Sequence, residues 1–439
     1  MGILWEGDAY PLAAARQMLH GAALYRGVWF DKPPLLPFAY RLFGAQPGWP
    51  LRLAGALYLL LACWVAYRLA RELWSEREGL WAAGLLGFFL IFDLPSAVIP
   101  VASDLLMLAP HLAAVWLAVR RRPFWSGAVA AVAFWISPKG VFVAAACLLW
   151  EPAGALWMTA GFVSASAPIV IWLAATGALT PWWNEVFVWG RLYAGSSFFE
   201  RPLREGLVRT LNWAGFHAAL VMAAGWFLVR GDRRLRWTGW LAISLVGVAA
   251  GMRFFPRYYF LLLPVVLTMA ARGMTLLKVR WHDCAVLLLL IPFLRFGPHY
   301  LTAIRDAGWR DTAMDRDSRE AAALVRSMAK PGDTLFVWGY RPEAYVHTGL
   351  RAGTMYLDSQ PLSGVPADRH LRQAEPVETA APARRRTELV ASHPTFVLDG
   401  IGEYNPALAI ERYPELREWL RGYREVGRTP GTVVWRREK

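Results

Sequence analysis

A few isolated charged residues in a very apolar chain could do chemistry. Asp31 and Lys32 stand side by side in "GVWFDKPPLLPF" (27–38), between aromatic residues and a pair of prolines. A carboxylate can take a proton from a weak nucleophile. Lysine can neutralise phosphate as a point charge, and arginine can grip it with two hydrogen bonds. Ionisable groups at membrane depth are costly unless they are paired or used, so this acid and base mark a candidate site.

The composition indicates a membrane protein. The chain has 439 residues, of which 56% are hydrophobic and 24 are tryptophan, and only 18% are charged, against roughly 25% in an ordinary soluble protein. Apolar blocks of about the length of a bilayer core run from Leu51 to about Phe296. We predict a multi-span α-helical membrane domain (1–298) and a soluble α/β domain (299–439) large enough for its own core.

The positions of the basic residues predict the topology. The candidate spans are 51–70, 79–99, 104–119, 124–136, 139–150, 153–178, 211–230, 237–251, 258–271 and 283–298. We divide 124–150 into two segments at "SPKG" (137–140), where Pro138 supplies the break. All the arginine-rich connections then lie on one side of the membrane, which the positive-inside rule makes cytoplasmic. The loops 8–50 and 179–210 and the C-terminal domain share the outer face. We expect the start, "MGILWEGD", to be the end of a span that is otherwise missing.

Two other interpretations of the composition are set aside. The net charge of +14 comes mostly from arginines in short loops between apolar blocks, which indicates membrane topology rather than nucleic-acid binding. The three cysteines (Cys63, Cys147 and Cys284) lie in or beside apolar blocks without metal-type spacing, so we expect packing roles rather than disulfides or a zinc site.

Ionisable residues also remain on the predicted outer face, where the topology does not account for them. They are Asp8, Arg26, Asp31, Lys32, Asp104, Lys139, Arg201, Arg204, Arg209, Arg253 and Arg257. In the outer loop, "DAYPLAAARQMLHG" predicts a helix on the membrane surface that ends at glycine. "FDKPP" then predicts a turn, because a residue before proline avoids the helical region, and a second apolar segment, "LLPFAYRLFG", follows.

The order of these segments resembles a known family. The stretch "EGDAYPLAAARQMLHGAALYRGVWFDKPPLLPFAYRLFG" is similar to the first outer loop of GT-C glycosyltransferases of the dolichyl-phosphate-mannose-protein mannosyltransferase and aminoarabinose transferase type. Further segments resemble the same family in the same order, nearly to the end of the chain. They are "SDLLMLAPHLAAVWLA" (103–118), "SPKGVFV" (137–143), "RFFPRYYFLLLPVV" (253–266) and "PGDTLFVWGYRPEAYVHTG" (331–349).

The resemblance implies an enzyme of a bacterial inner membrane with its active site on the outer face. Family members transfer a sugar, with inversion, from a polyprenyl phosphate to a glycan, lipid or protein acceptor. Asp8 is the first candidate for the base, and Asp31 is the second or an orienter of Lys32. Asp104 would position either of them. The candidates for donor and phosphate binding are Lys32, Lys139, Arg253, Arg257 and Tyr258.

The cofactor expectation follows from one departure from the family pattern. Arg257 stands where some relatives have a histidine, so we predict no metal site. A divalent metal held with the help of Asp104 stays open as an alternative.

Each candidate also has a purely structural interpretation. Asp31 and Lys32 would form an ion pair at a turn, worth about 0–1 kcal/mol if exposed. Asp8 and Asp104 would cap helices, and Lys139 would extend its ammonium group to the interface. Arg253 and Arg257, which would share one face of a helix, would anchor the chain at the interface. Arg201, Arg204 and Arg209 would form a solvated edge, and "PWWNEVFVWG" (181–190) an interfacial aromatic belt.

The C-terminal region predicts a small layered domain. Helices are expected at 318–329 and 411–423, strands at 333–339, 395–400 and 432–437, and a loop at 359–386. No catalytic motif is visible there, and we expect this domain to cover the site or to select the acceptor. Two alternative functions stay open: a lipid or sugar transporter, which would show related halves, and a membrane scaffold with a transferase-like core.

Overall fold

The structure is a computed structural model that describes residues 3–93, 99–195, 200–305, 312–366, 375 and 380–438. Up to residue 305 the described elements are helices. Those that form the outer loop and the first half of the membrane domain are Glu6–Leu19, Leu35–Arg41, Trp49–Leu73, Glu76–Phe92, Ser103–Leu106, Leu108–Val119, Pro123–Ile136, Gly140–Trp150 and Ala155–Ala175. The helices that follow are Leu179–Trp183, Trp189–Gly195, Pro202–Phe216, Ala218–Arg230, Arg234–Ala249, Leu263–Leu276, Val279–Leu287 and Leu290–Ile304. A π-helical turn, Asn184–Val188, and a 3-10 helix, Pro256–Leu261, complete this part.

Each predicted span overlaps one of these helices or a pair of adjacent ones, and residues 94–98 of the predicted span 79–99 lie outside the described residues. Within the described ranges, three helical stretches are long and apolar enough to cross a membrane: Trp49–Leu73, Pro152–Ala175 and Val279–Thr302. A fourth would be the pair Pro202–Phe216 and Ala218–Arg230, which is bent by 93°. The other apolar helices have 10–17 residues, and they include Ser103–Val119, Pro123–Ile136, Gly140–Trp150 and Leu263–Leu276.

The predicted break inside 124–150 is confirmed. The first helix ends at Ile136, Ser137 is extended (φ −148°, ψ 135°), and the next helix begins at Gly140. A Cβ atom at position 140 would lie 2.2 Å from the backbone nitrogen of Phe134. Only glycine allows the second helix to start this close to the first, which directs Lys139 out of the turn between them.

Close backbone contacts hold the neighbouring helices together. A Cβ atom at Gly127 would lie 1.8 Å from the carbonyl oxygen of Met158, and one at Gly161 would lie 1.8 Å from that of Phe124. Small residues at facing positions let membrane helices approach closely and gain van der Waals contact. The helices Pro123–Ile136 and Ala155–Ala175 therefore form a fixed pair behind the 137–139 turn.

The outer loop contains the two predicted short helices, Glu6–Leu19 and Leu35–Arg41. Between them the chain reverses at Tyr25, which has a left-handed backbone (φ 66°) and whose N–H donates to the Val28 carbonyl at 2.7 Å. The Tyr25 hydroxyl donates to the carbonyl of Lys32 at 2.7 Å. This fully buried tyrosine fixes the position of the 31–32 pair.

The C-terminal domain is built on a five-stranded mixed sheet in the order β2-β1-β3-β5-β4. The strands are β1 Thr334–Trp338, β2 Arg351–Ala352, β3 Phe396–Asp399, β4 Tyr423–Thr429 and β5 Thr432–Arg437. Its helices are Ala313–Met328, Glu343–Thr348, Gln360–Ser363, Ala380–Val390 and Pro414–Leu420. Strands β1, β2 and β3 are parallel, whereas β5 pairs antiparallel with β3 and β4.

The expected α/β domain and its three predicted strands are confirmed, but one predicted helix is too long and one predicted loop is partly helical. The helix expected at 411–423 is confined to Pro414–Leu420, because Tyr423 begins β4, which pairs with β5 across a tight turn. The segment 359–386 is not simply a loop: it contains the helix Gln360–Ser363 and the start of Ala380–Val390. Residues 367–374 and 376–379 of that segment lie outside the described residues.

The C-terminal domain packs directly on the outer loop. The side-chain amide of Gln17 donates to the Leu350 carbonyl at 3.2 Å and accepts from the Ala352 N–H at 2.8 Å. Arg16 donates to the Val346 carbonyl at 2.7 Å, and the Trp29 N–H donates to the Met355 carbonyl at 2.9 Å. These contacts place the carboxyl ends of β1 and β2 over the outer loop.

Candidate functional site

A cavity of about 380 Å³ lies where the outer loop, the membrane helices and the C-terminal domain meet. Five separate stretches of the chain line it: 31–32, 103–104, 137–139, 186–194 and 250–258. Gly7, Tyr10, Pro11, Leu36 and Phe142 also line it, as do Tyr340 and Gln360 of the C-terminal domain. The structure therefore brings together seven of the eight predicted site residues, which are Asp31, Lys32, Asp104, Lys139, Arg253, Arg257 and Tyr258.

Asp31 and Lys32 form an ion pair in the lining of this cavity. The Lys32 Nζ lies 2.9 Å from Asp31 Oδ2, and the two side chains are 33% and 12% exposed. The two prolines that follow direct the chain into the helix Leu35–Arg41. Because both side chains remain partly exposed, a ligand can contact either group. The pair can therefore bind a ligand in addition to stabilising the turn.

Asp104 is the centre of a second charge cluster. Its carboxylate is 3.4 Å from Lys139 Nζ and 3.7 Å from Arg257 Nε, and its side chain is only 7% exposed. Lys139 also lies over the ring of Tyr258, 2.9 Å from the centroid. Because two cations share one carboxylate, the cluster keeps positive charge facing the cavity. Phosphate is a suitable ligand for such a cluster.

Arg253 enters the cavity from a strained segment. Met252 and Phe254, on either side of it, have left-handed backbones (φ 51° and 47°), a conformation that costs non-glycine residues energy and is concentrated at functional sites. Arg253 is buried, donates from Nε to the Tyr193 carbonyl at 3.1 Å and lies 3.8 Å from the centroid of the Tyr193 ring. The expected helix through Arg253 and Arg257 is absent, since the 3-10 helix begins only at Pro256, yet both side chains reach the cavity.

Asp8, the first candidate for the base, is not brought to the cavity lining. Its side chain is fully buried in the helix Glu6–Leu19 and accepts a hydrogen bond from the Tyr40 hydroxyl. Burial raises the pKa of Asp8 to about 7, although the bond from Tyr40 and the charge of Arg52 act in the opposite direction. Gly7, one residue before it, does line the cavity. The catalytic role of Asp8 stays a prediction.

The other arginines predicted for the outer face lie apart from this cavity. Arg26 donates to the carbonyl of Thr176 at 3.1 Å. Arg201 and Arg204 are exposed, and Arg209 lines a different cavity. The predicted solvated edge therefore describes Arg201 and Arg204 but not Arg209.

Several residues that sequence reasoning missed shape the site. Glu185 lies in the π-helical turn Asn184–Val188 and accepts from the Phe30 N–H at 2.8 Å, which fixes the backbone just before Asp31. Burial raises the pKa of Glu185 well above its usual range. Its isolation among aromatic residues in "PWWNEVFVWG" was a usable signal. Tyr340 follows β1, at the carboxyl edge of parallel strands where ligands commonly bind, but only the docking of the domain places it here.

The donor groups of the cavity suit an anion better than a divalent metal. Its carboxylates in the described ranges, Asp31 and Asp104, each face a lysine or arginine, whereas magnesium and calcium need clustered free oxygen ligands. Among the described residues, no group of three His, Cys, Asp or Glu side chains could hold a metal ion.

The comparisons with known proteins agree with this fold. Residues 31–184 match the family model described as dolichyl-phosphate-mannose-protein mannosyltransferase. The chain is similar in structure to ArnT from Cupriavidus metallidurans bound to undecaprenyl phosphate, with a TM-score of 0.59 and 16% identity over 99% of this chain and 93% of that chain. For ArnT in the apo state, the TM-score is 0.59 and the identity is 14%, over 98% and 92% of the two chains.

A weaker likeness exists to the oligosaccharyltransferase AglB from Archaeoglobus fulgidus in complex with an inhibitory peptide and a dolichol-phosphate. The TM-score is 0.48 and the identity is 13%, over 98% of this chain and 70% of that chain. No curated protein sequence matches the chain. The family match and the ArnT fold together confirm the resemblance that the outer-loop sequence predicts.

Proposed function

We propose that this chain, a membrane protein with the GT-C fold of the mannosyltransferase and aminoarabinose transferase type, is an inverting glycosyltransferase. It moves a sugar from a polyprenyl phosphate to an acceptor at the outer face of a bacterial inner membrane. The observation that carries the proposal is the convergence of four cations and two carboxylates on one cavity: Lys32, Lys139, Arg253, Arg257, Asp31 and Asp104.

The cations suit the leaving group. In an inverting transfer the acceptor oxygen or nitrogen attacks the anomeric carbon while the bond from that carbon to the phosphate oxygen breaks. The phosphate gains negative charge in the transition state, and preorganised cations stabilise that charge. Lys139 and Arg257 are held by Asp104, and Lys32 is held by Asp31, so these cations need little reorganisation during the reaction.

Asp31 is the carboxylate that we place as the general base. It lines the cavity, has one cation partner and is 12% exposed, whereas Asp104 is engaged with two cations and Asp8 is enclosed by Tyr40. The proton of the acceptor passes to an Asp31 oxygen as the new glycosidic bond forms. Asp104 is a positioning residue in this mechanism.

The part of the cavity lining that the C-terminal domain supplies, here called the roof (Tyr340 and Gln360), is suited to acceptor selection. Tyr340 and Gln360 come from the C-terminal domain and line the same cavity as Asp31 and Lys32. The Tyr340 ring lies 5.9 Å from that of Tyr10, so the roof and the outer loop contact each other beside the site. Residues at this position would touch an acceptor that enters from the aqueous side.

The test is transfer by the purified full-length protein in phospholipid nanodiscs. Radiolabelled polyprenyl-phosphate sugars serve as donors, and the labelled product is measured with membrane-extract acceptors. Lys32→Gln and Asp31→Asn are expected to lower kcat by about 100-fold or more, the usual scale for a charge-stabilising or general-base group. Asp232→Asn, an exposed acid at the other end of the membrane domain, is the matched control.

Asp8→Asn decides between the two possible bases. If Asp8→Asn abolishes transfer in a folded protein while Asp31→Asn retains it, the base is Asp8 and the assignment above is wrong. If wild-type protein transfers no sugar from any donor and acceptor pair, the enzyme proposal itself fails.

A further inference from the structure

The segment 253–259 separates two cavities. Arg253 and Arg257 face the first, whereas Phe254, Pro256 and Tyr259 line a second cavity of about 520 Å³ on the other side. The left-handed backbone of Phe254 (φ 47°) turns this side chain away from its neighbours. A Cβ atom at Gly206 would lie 2.5 Å from the Phe254 ring, so the helix Pro202–Phe216 packs tightly against this dividing wall.

Most ionisable and polar groups of the second cavity are hydrogen-bond donors. Arg209, Asn212 and Arg295 line it together with His217 and His299, against one carboxylate, Asp93. Arg209 Nη1 donates to the Phe254 carbonyl at 3.4 Å, and the Arg295 guanidinium lies 5.9 Å from the ring centroid of Phe216. Two arginines against one acid leave an excess of positive charge, which favours an anionic ligand.

The surroundings of this cavity are suited to a lipid. The helix Pro202–Phe216 exposes Val208 (43%) and Leu211 (61%) beside it. The helix Leu290–Ile304 exposes Phe293 (50%), Leu294 (66%) and Leu301 (54%). In a membrane protein such apolar surfaces face acyl chains. Trp213, Phe216 and Phe296 add an aromatic lining, so a ligand with an anionic head and an apolar tail fits both parts.

We propose that this second cavity binds the phosphate head of a membrane lipid, in addition to the phosphate that the proposed function assigns to the first cavity. Arg209 and Arg295 would contact the phosphate oxygens, and Asn212 would donate a further hydrogen bond. The acyl or prenyl chain would lie along the exposed apolar faces of the two flanking helices. Phosphate is chosen because arginine matches its geometry with paired donors.

The experiment counts bound lipids by native mass spectrometry on the full-length protein in dodecyl maltoside micelles. The probe is dioleoyl phosphatidic acid, and dioleoylglycerol is the matched lipid without phosphate. Wild type is expected to bind two phosphatidic acid molecules per chain. Arg209→Gln with Arg295→Gln is expected to retain one, with the other weakened at least about tenfold for each lost arginine contact. Lys32→Gln with Lys139→Gln is expected to weaken the first-cavity lipid instead.

Controls make each outcome decisive. Arg204→Gln removes an exposed charge from the same helix and is expected to bind as wild type does. Arg295 is exposed on its helix, so Arg295→Gln alone keeps the test valid if the double variant does not fold. The proposal is overturned if the Arg295 variant and the Arg204 control bind equally, or if dioleoylglycerol binds as well as phosphatidic acid. Displacement by millimolar inorganic phosphate would assign the site to free phosphate and would also overturn it.

This readout does not depend on sugar transfer. Loss of the proposed transferase activity would leave the lipid count unchanged, and a lipid count of one would leave the transferase proposal intact. The two proposals can therefore fail separately.

Discussion

The carboxylate of Asp104 lies 3.4 Å from the ammonium group of Lys139, although the two residues belong to different elements and are 35 positions apart. Asp104 is in the first turn of Ser103–Leu106, and Lys139 immediately precedes Gly140–Trp150. The same carboxylate reaches Arg257, which comes from the 3-10 helix Pro256–Leu261. One acid thus fixes two cations from two separate elements in the cavity.

Asp104→Asn is expected to weaken donor binding more than it slows chemistry. The asparagine cannot neutralise Lys139 and Arg257, which then repel each other and lose their fixed positions. We expect the KM for the polyprenyl-phosphate sugar to rise about tenfold, since hydrogen bonds to charged groups contribute about 1.5–3 kcal/mol, with a smaller change in kcat. Steady-state kinetics in nanodiscs measures both. A variant with an unchanged KM would show that Asp104 does not position the cations.

Substitutions of Glu185 test whether its negative charge or its hydrogen bond to the backbone matters for transfer. Burial raises the pKa of this carboxyl well above its usual range, which favours the protonated form, and Oε2 accepts from the Phe30 N–H. Glu185→Gln keeps an acceptor without charge and is expected to transfer sugar at a near-wild-type rate. Glu185→Ala leaves the N–H buried and unpaired, at a cost of about 1–3 kcal/mol.

The readouts for Glu185 are kcat and the apparent melting temperature. Glu185→Ala is expected to lower both, with kcat reduced about tenfold as the 30–32 turn loosens. Glu200→Gln, an exposed acid in the same outer loop, is the control. If the glutamine variant is as impaired as the alanine variant, the negative charge of Glu185 itself is required and this account is wrong.

Asp8 predicts a pH-dependent stability. Its pKa rises from an ordinary 3.8 to about 7 on burial, so the folded state holds a proton that the unfolded state has lost between these values. The free energy of unfolding therefore falls as pH rises from about 4 to about 7, by up to about 4 kcal/mol from this group. Asp8→Asn removes this component.

Thermal melts of wild type and Asp8→Asn between pH 4 and pH 8 measure the effect. Asp358 is also buried, with its pKa raised to about 7, and it changes the stability of both proteins equally. The quantity that reports on Asp8 is therefore the difference in melting temperature between wild type and Asp8→Asn at each pH. We expect the variant to gain stability relative to wild type as pH rises, and no further change above about pH 8. A difference that stays constant over this range would contradict the assignment.

The sequence predicts helices and charge clusters well because both are local or compositional. The apolar blocks predict the helices, and the "SPKG" break predicts the helix end at Ile136 and the helix start at Gly140. The charged residues that the topology does not account for include Lys32, Lys139 and Arg257, which line the cavity. The direction of a single side chain on a helix is harder to predict. Asp8 and Gly7 are adjacent, yet only Gly7 lines the cavity, since a shift of one position rotates a side chain by about 100°.

Contacts between residues that are distant in the chain cannot be predicted from local sequence patterns. Tyr340 and Gln360 reach the cavity only because the C-terminal domain packs on the outer loop, and no local pattern in "WGYRPEAY" encodes that contact. The strand β4 was missed for the same reason: after the buried Tyr423, the residues of "YREVGRT" are exposed or half-buried without regular alternation, and its pairing with β5 defines it.

The attachment of the C-terminal domain is itself testable at Gln17. Its side-chain amide is buried and forms two hydrogen bonds with the backbone at Leu350 and Ala352, as a neighbouring strand would. Gln17→Ala leaves both backbone groups without these partners, at a cost of about 1–3 kcal/mol each. Because cleavage of a transiently opened state follows its population, we expect limited proteolysis to release the C-terminal domain at least about tenfold faster. Leu19→Ala, at an exposed position of the same helix, should be cleaved at the wild-type rate. Equal rates for the two variants would mean that Gln17 does not hold the roof over the site.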